Sequence, residues 1–259
     1  MKIAVMTIKT LALLAIIMCL CSCAGSDDIV LYINDTPVTE QEFLLYAVEK
    51  KATTAGYFMD KYSAEYGDGF WELDFNGEKP KDKLKSETLE EIVTVKIKQQ
   101  TAVEYGALDS CDYEDIHKKF TTENERRSKT KSDGGVVYGV SEYSEQQYLH
   151  DFNAKLEIAT KNVLRENTEI TTDELRNYYE EIKEEFYRFP EADEIRVYDT
   201  GSEDSPVNRG SKYRDFNDVE DNVLTMYIDK IYNNIIDAER ENCKIKYTDK
   251  FDKINFEGI

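Results

Sequence analysis

Histidine is nearly absent from this 259-residue chain, which holds only His117 and His150. A zinc centre needs several His or Cys ligands at close spacing, and neither histidine has such a neighbour in sequence. Each therefore reads as a solvated or hydrogen-bonded helix residue. Cysteine is as thin where it would matter. Cys19, Cys21 and Cys23 crowd the start, leaving only Cys111 and Cys243 far apart in the body of the chain. That distant pair carries no disulfide-framework signature and is expected as two semi-buried thiols. No Gly-x-Ser-x-Gly elbow marks an exposed serine nucleophile. The glycines of Tyr66-Gly-Asp-Gly-Phe70 lack the Lys-Ser/Thr that a phosphate-cradling loop requires. No loop alternates Asp and Asn before a Glu in the manner of a calcium site. No catalytic residue, metal or cofactor is expected.

Positive charge is also in the minority. Lys and Arg number 33 against 53 Asp and Glu, a formal balance of −20. Without the first 22 residues, which hold Lys2 and Lys9 and no acid, the imbalance deepens. That sign argues against nucleic acid as a partner and against anionic lipid bound through a basic patch. Glu180-Glu181 and Glu184-Glu185 share a helix face, but Lys183 and Arg188 lie nearby, so a solvated charged face is expected rather than a carboxylate pair.

Only one long apolar run exists. Leu11 to Leu20 follows Lys2 and Lys9 and is too short to span a bilayer, which reads as a secretory signal over residues 1–22. The closing Leu20-Cys21-Ser22-Cys23 resembles a bacterial lipobox. That resemblance implies that the Cys23 thiol is lipidated, that residues 23–28 form a short tether, and that the protein works outside the cytoplasm, anchored to the bacterial cell membrane.

What remains is mostly helical pattern. Forty-one per cent hydrophobic residues suffice for a core despite 33% charge. Ile29 to Asn34 is a β-branched run closed by the turn residues Asn34, Asp35 and Pro37. Thr39 and Glu42 have the spacing of a capping box and open a helix carrying Phe43, Ala47, Val48 and Phe58. A second helix is predicted from Pro80 to Tyr105, with Leu89, Ile92, Val93 and Ile97 on one side and Gly106 as its cap. A third runs from Tyr113 to about Ser128, and residues 128–139 read as a polar, mobile connection. Leu149, Phe152, Leu156, Ala159 and Val163 form the clearest amphipathic stripe. Thr171 and Glu174 box the start of a fifth helix bearing Leu175, Tyr178, Ile182 and Phe186. The last starts near Asp218 and carries Val223, Tyr227, Ile231 and Ile235. Lys244 to Thr248 then alternates as a half-buried strand. A lone strand leaves its backbone groups unmet, so Ile29–Ile33 is expected beside Lys244–Tyr247.

Ile33-Asn-Asp-Thr-Pro-Val-Thr-Glu-Gln-Glu-Phe43 resembles the opening of the SurA/PrsA-like extracytoplasmic chaperone (foldase) family. Phe70-Trp71-Glu72 with Gly77, Pro80 and Leu84-Lys85 is similar to the continuation in its lipoprotein members. Thr172 to Phe186 with Pro190-Glu191, and Asp221 to Tyr247, are similar to the helix before the family's isomerase domain and to its closing helix and strand. The resemblance implies a mainly α, elongated helical chaperone domain with a two-strand ribbon joining its ends. It spans 29–259: a main part 29–190, a loop 191–217 and a closing part 218–259. The parvulin-type isomerase that family foldases carry needs about a hundred residues, the size of a typical domain. Only residues 192–217 stand in its place, and no His follows His150. The family's catalytic residues thus have no positions here.

The leading expectation is a membrane-tethered holdase for unfolded or secreted polypeptides. The alternatives are a prolyl isomerase with a reduced catalytic region, or a surface protein dedicated to one partner. Eighteen Tyr, eleven Phe and one Trp suit varied contacts with unfolded chain. Tyr57, Phe58, Tyr62 and Tyr66 are the expected client-contacting residues.

Overall fold

A computed structural model describes residues 28–189 and 212–256. The expectations for Cys23, for the signal segment and for most of the 191–217 loop lie outside the described residues. Six α-helices and one small antiparallel sheet account for most of the described chain, so the mainly helical class holds. The chain divides into two compact units. One comprises 28–96, 110–150 and 243–256, the other 97–109, 151–189 and 212–242.

The first unit is built on the sheet. Strand β1 (Ile29–Ile33) lies in the middle, with β2 (Thr36–Thr39) on one side and β3 (Ile245–Tyr247) on the other. The expected closure of the two chain ends is present, with Leu31 opposite Tyr247 and Ile33 opposite Ile245. Asn34 extends the ladder at one end, donating from its N–H to the Lys244 carbonyl at 2.9 Å, and Thr248 extends it at the other through the Val30 carbonyl at 3.0 Å. The third strand is the difference from the two-strand ribbon. Asn34 and Asp35 both adopt positive φ (49° and 67°), the geometry of a two-residue hairpin turn that Asn and Asp tolerate. The chain therefore reverses at once, and Pro37 sits inside β2 opposite Tyr32. Proline lacks a donor but is acceptable there because β2 is an edge. Val30, Leu31, Ile33 and Val38 are fully buried.

Helix α1 (Glu40–Tyr62) follows directly, capped by the Thr39 hydroxyl, which accepts from the Glu42 N–H at 3.1 Å. The Glu42 carboxylate does not turn back to complete the predicted box. It points into the core, where Lys96 of α2 (Pro80–Glu104) meets it at 2.7 Å with both side chains essentially without solvent. Leu84, Ile92, Val93, Val95 and Ile97 are buried around several sides of α2, so the helix is enclosed rather than one-faced. Helix α3 (Tyr113–Ser132) runs one turn beyond its predicted end.

The second unit takes in residues 97–109 and is otherwise drawn from α4 (Glu145–Asn167), α5 (Thr172–Phe186) and α6 (Phe216–Asn242). The box at Thr171 is complete: its hydroxyl accepts from the Glu174 N–H and its own N–H donates to the Glu174 carboxylate at 2.8 Å. Leu175, Tyr179, Tyr187, Phe216, Val219 and Val223 form the core between α5 and α6. A chain of ion pairs, Lys98–Glu157–Lys161–Asp229, ties residues of α2, α4 and α6 together.

The segments leaving α5 and entering α6 are stapled side by side. Arg188 and Tyr213 form an antiparallel bridge, the Phe189 N–H donates to the Lys212 carbonyl and the Arg214 N–H donates to the Tyr187 carbonyl, both at 3.0 Å. Residues 190–211 thus connect two points already held together, and closing such a loop at a shorter length costs little. Replacing 190–211 by four Gly/Ser residues is expected to raise the unfolding free energy, by no more than about 1.5 kcal/mol. A loss in urea titration would show that the segment is part of the fold.

Candidate functional site

Two surfaces of the first unit present apolar side chains on braced supports. One is a turn-rich tip after α1. Ser63 ends the helix in the left-handed region (φ 52°), and Gly69 (φ 75°) opens a 3-10 turn, Phe70–Glu72. Phe58 and Phe70 are buried at its centre, with Tyr57, Tyr62, Trp71 and Phe75 packed about them. The Phe58 ring meets those of Tyr62, Phe75 and Phe70 at 5.7, 5.2 and 6.2 Å, within the range of favourable aromatic pairs.

The expected client-contacting residues divide accordingly. Phe58 is fully enclosed and anchors the tip from within, offering no surface to a client in this conformation. Tyr57 and Tyr62 are half-buried, and both donate to the Glu78 carboxylate, Tyr62 at 2.8 Å. Tyr66 is exposed, and Met59 and Leu73 join it as exposed apolar residues of the same tip.

Glu78 locks this arrangement. The hydrogen bond from Lys61, then that from Tyr62, then Tyr57 pull its carboxyl down to about 2, against a smaller opposing effect of burial. A carboxyl lowered in the folded state contributes stability that is complete above its ordinary value near 4.5 and disappears as pH falls toward about 2. Trp71, the only tryptophan, reports on the tip. Its fluorescence is expected to hold to about pH 4.5 and to change progressively below, and Glu78→Gln should remove that step. An identical acid profile in the variant would assign the transition to other groups.

The second surface is the connection after α3, which the sequence pattern had as polar and mobile. Gly134 (φ 75°) and Gly135 end the helix, their N–H groups donating to the carbonyls of Lys131 and Thr130. A side chain at Gly135 would lie 2.8 Å from the Thr130 methyl, so only glycine lets the chain leave there without a shift. Arg127, buried in α3, then holds the following segment. It donates to the carbonyls of Tyr138 (3.2 Å) and Val140 (2.5 Å), lies over the Tyr143 ring at 4.3 Å, and is itself held by Glu123 at 2.7 Å. Asn124 exchanges two hydrogen bonds with the Tyr143 backbone, at 2.9 and 3.0 Å. Val136 is 71% exposed and Tyr138 86%.

Among the described residues no cluster of three His, Cys, Asp or Glu is arranged to hold a metal ion. His117 contacts Glu145, which also accepts from Tyr113 at 2.6 Å, and this arrangement ties α3 to the start of α4. Cys111 and Cys243 are free and half-buried. Glu180, Glu181 and Glu184 each face a cation of their own, namely Lys183, Lys230 and Lys212. No helix among the described residues is long and apolar enough to cross a membrane.

Sequence reasoning missed two features, the Glu42–Lys96 pair and the braced segment after α3. The first had a signal in the placement of Lys96 within the apolar run Val93-Thr-Val-Lys-Ile97. The second had one in Val136-Val-Tyr-Gly-Val140, apolar residues in a segment otherwise read as polar.

Comparison with known proteins gives one relevant similarity. Over 149 residues the chain is 24% identical to a protein of Bifidobacterium longum subsp. longum described as "Chaperone for lacto-N-biosidase", covering 57% of this chain and 53% of that protein. The chain thus spans about half the length of the curated relative it matches. No family model matches, and no solved structure matches.

Proposed function

We propose that this protein is an extracytoplasmic chaperone that holds polypeptide clients without covalent chemistry, tethered to the membrane through lipid on Cys23. The observation that carries the client-binding part is the pair of braced surfaces bearing exposed Tyr66, Met59 and Leu73 on one and Val136 and Tyr138 on the other. Ordered apolar side chains in water have a cost that a partner relieves, and exposed apolar patches mark interaction sites. The similarity to a protein described as a chaperone supports the same reading. The resemblance to SurA/PrsA-like foldases, carried by motif order, suits it as well. The tether rests on the lipobox pattern ending at Cys23. Cys23→Ala is expected to abolish incorporation of labelled fatty acid; undiminished labelling would remove the tether from the proposal.

The relative's description names a single client, which favours a chaperone dedicated to one enzyme over one serving many. Two assays on the secreted form separate the readings. Slowed aggregation of several unrelated unfolded proteins supports a general holdase. One stoichiometric partner recovered from the native envelope supports a dedicated one. Acceleration of X-Pro isomerisation above the slow spontaneous rate, with no effect on aggregation, would replace both by the isomerase reading.

A further inference from the structure

We infer that the outer edge of β3 docks an extended polypeptide stretch in which apolar and acidic side chains alternate, added to the sheet as a fourth, antiparallel strand. The inference rests on the client-binding reading above and adds to it a contact made through the main chain.

The two edges of the sheet are built differently. At the β2 edge the Asn34-Asp35 turn pairs Ile33 with Thr36, so Thr36 and Val38 face β1 with their peptide groups and position 37 faces outward. That position is Pro37, which has no N–H, and β2 runs at once into α1. This edge is closed to a further strand. The β3 edge is open. The Asn34 N–H donates to the Lys244 carbonyl and the Thr248 N–H donates to the Val30 carbonyl, so residues 244, 246 and 248 turn their peptide groups toward β1. Ile245 and Tyr247 point theirs away, and among the described residues no hydrogen bond is made on that side. Two donors and two acceptors thus stand in a row along a true strand, enough to pair a short extended stretch. Main-chain pairing of this kind accepts many sequences, and alternate side chains supply preference.

The side chains at the edge set that preference. Ile245 and Tyr247 stand opposite Ile33 and Leu31, both fully buried, and so lie on the core face of the sheet. Tyr247 is nevertheless 49% exposed at the rim. Its ring is braced by Phe251 at 4.6 Å, which meets the buried Phe43 edge-on at 5.7 Å. An added strand would extend this apolar face. Lys246 is exposed on the other face, over the Tyr32 ring at 5.8 Å. It makes no ion pair among the described residues, and neither do the flanking Lys244 and Lys250; Glu241 and Asp249 are the acids nearest in sequence. Residues directly opposite across two strands share a face. A partner therefore sets apolar side chains beside Ile245 and Tyr247 and an acid beside Lys246. A second copy of β3 fits less well. Two-fold pairing that sets Ile245 against Tyr247 places Lys246 directly opposite Lys246, and like charges so placed repel.

The probe is a fluorescent ten-residue peptide of alternating Val and Glu, its binding to the protein measured by anisotropy. In antiparallel pairing the residues opposite Ile245 and Tyr247 exchange both bonds with them, and these are the valines. Methylating the Val nitrogens is expected to weaken binding about tenfold or more, and methylating the Glu nitrogens to leave it unchanged. Any other pattern overturns the inference. Lys246→Glu should weaken binding about fivefold and bind the corresponding Val/Lys peptide more tightly than wild type does. Tyr247→Pro removes one outward donor and keeps the β1 ladder, whereas Tyr247→Thr removes the ring and keeps the donor. The proline variant should bind about fivefold more weakly than the threonine one at a matching urea midpoint. If proline lowers the midpoint, the methylation pattern and the Lys246 charge swap decide. Aggregation of an unfolded client, followed by light scattering, separates the possible failures. If wild type slows aggregation but does not bind the peptide, or if Lys246→Glu binds it equally, the edge is wrongly assigned and the chaperone reading stands. If wild type neither binds the peptide nor slows aggregation, both fall. A dimer in sedimentation that Tyr247→Pro abolishes would give the edge to a second copy and overturn the inference.

Discussion

Lys96→Ala is expected to destabilise the protein by about 3–5 kcal/mol, because it leaves the Glu42 carboxylate buried without its cation. Neither side chain reaches solvent, and Lys96 spends a second hydrogen bond on the Cys111 carbonyl at 3.1 Å. The pair is already under electrostatic load. Burial pushes the Glu42 carboxyl above its ordinary range even with Lys96 in contact, Asp112 and Glu145 add to that push, and one carboxylate oxygen has no hydrogen-bond partner. Desolvating two charges can exceed what their attraction returns, so the pair is not a source of net stability. Glu42→Leu/Lys96→Met should therefore recover most of the single-variant loss or exceed wild type. Urea denaturation of the single and double variants decides it. A single variant within about 1 kcal/mol of wild type would show that water reaches the site.

Phe58→Ala is expected to cost a similar amount, about 3–5 kcal/mol, by opening a cavity beneath four aromatic partners. The loss should be local in its signature. Trp71 and the Tyr57–Glu78–Tyr62 bonds depend on the same ring, so Trp71 fluorescence should change in the native state before global unfolding begins. A full stability loss with native Trp71 emission would place the damage elsewhere in the unit. Tyr66→Ser, on the exposed rim, should leave stability nearly unchanged.

Sheet closure and helix placement were legible because they follow from local chemistry. Thr39 and Thr171 cap helices where their spacing said they would, and the β-branched run at Ile29–Ile33 found the alternating segment at the far end. Helix faces were read less well. Buried Ile228, Tyr232 and Ile236 stand one position beyond the expected Tyr227, Ile231 and Ile235 on α6, since a stripe with apolar neighbours on both sides does not fix its rotation. The Glu42–Lys96 pair and the braced segment after α3 were the least legible. Glu42 has the spacing of a cap and the environment of a core residue, and only the tertiary arrangement of α1 and α2 chooses between them. Arg127 sits in a run of charged residues and looks solvated in sequence. Its role appears only when the chain turns back at Gly134-Gly135 and brings the Tyr138 and Val140 carbonyls to it. Phe58 shows the converse: the aromatic density of residues 57–66 is plain in the sequence, but which ring faces inward is not.

Amide hydrogen exchange of the protein, alone and saturated with a permanently unfolded polypeptide, tests the central claim most directly. The account predicts slowed exchange at residues 136–142, where peptide N–H groups are free, and at the tip around Tyr66, with the α5–α6 core unchanged. No protection at either surface in the presence of bound client, or protection confined to the second unit, would contradict it.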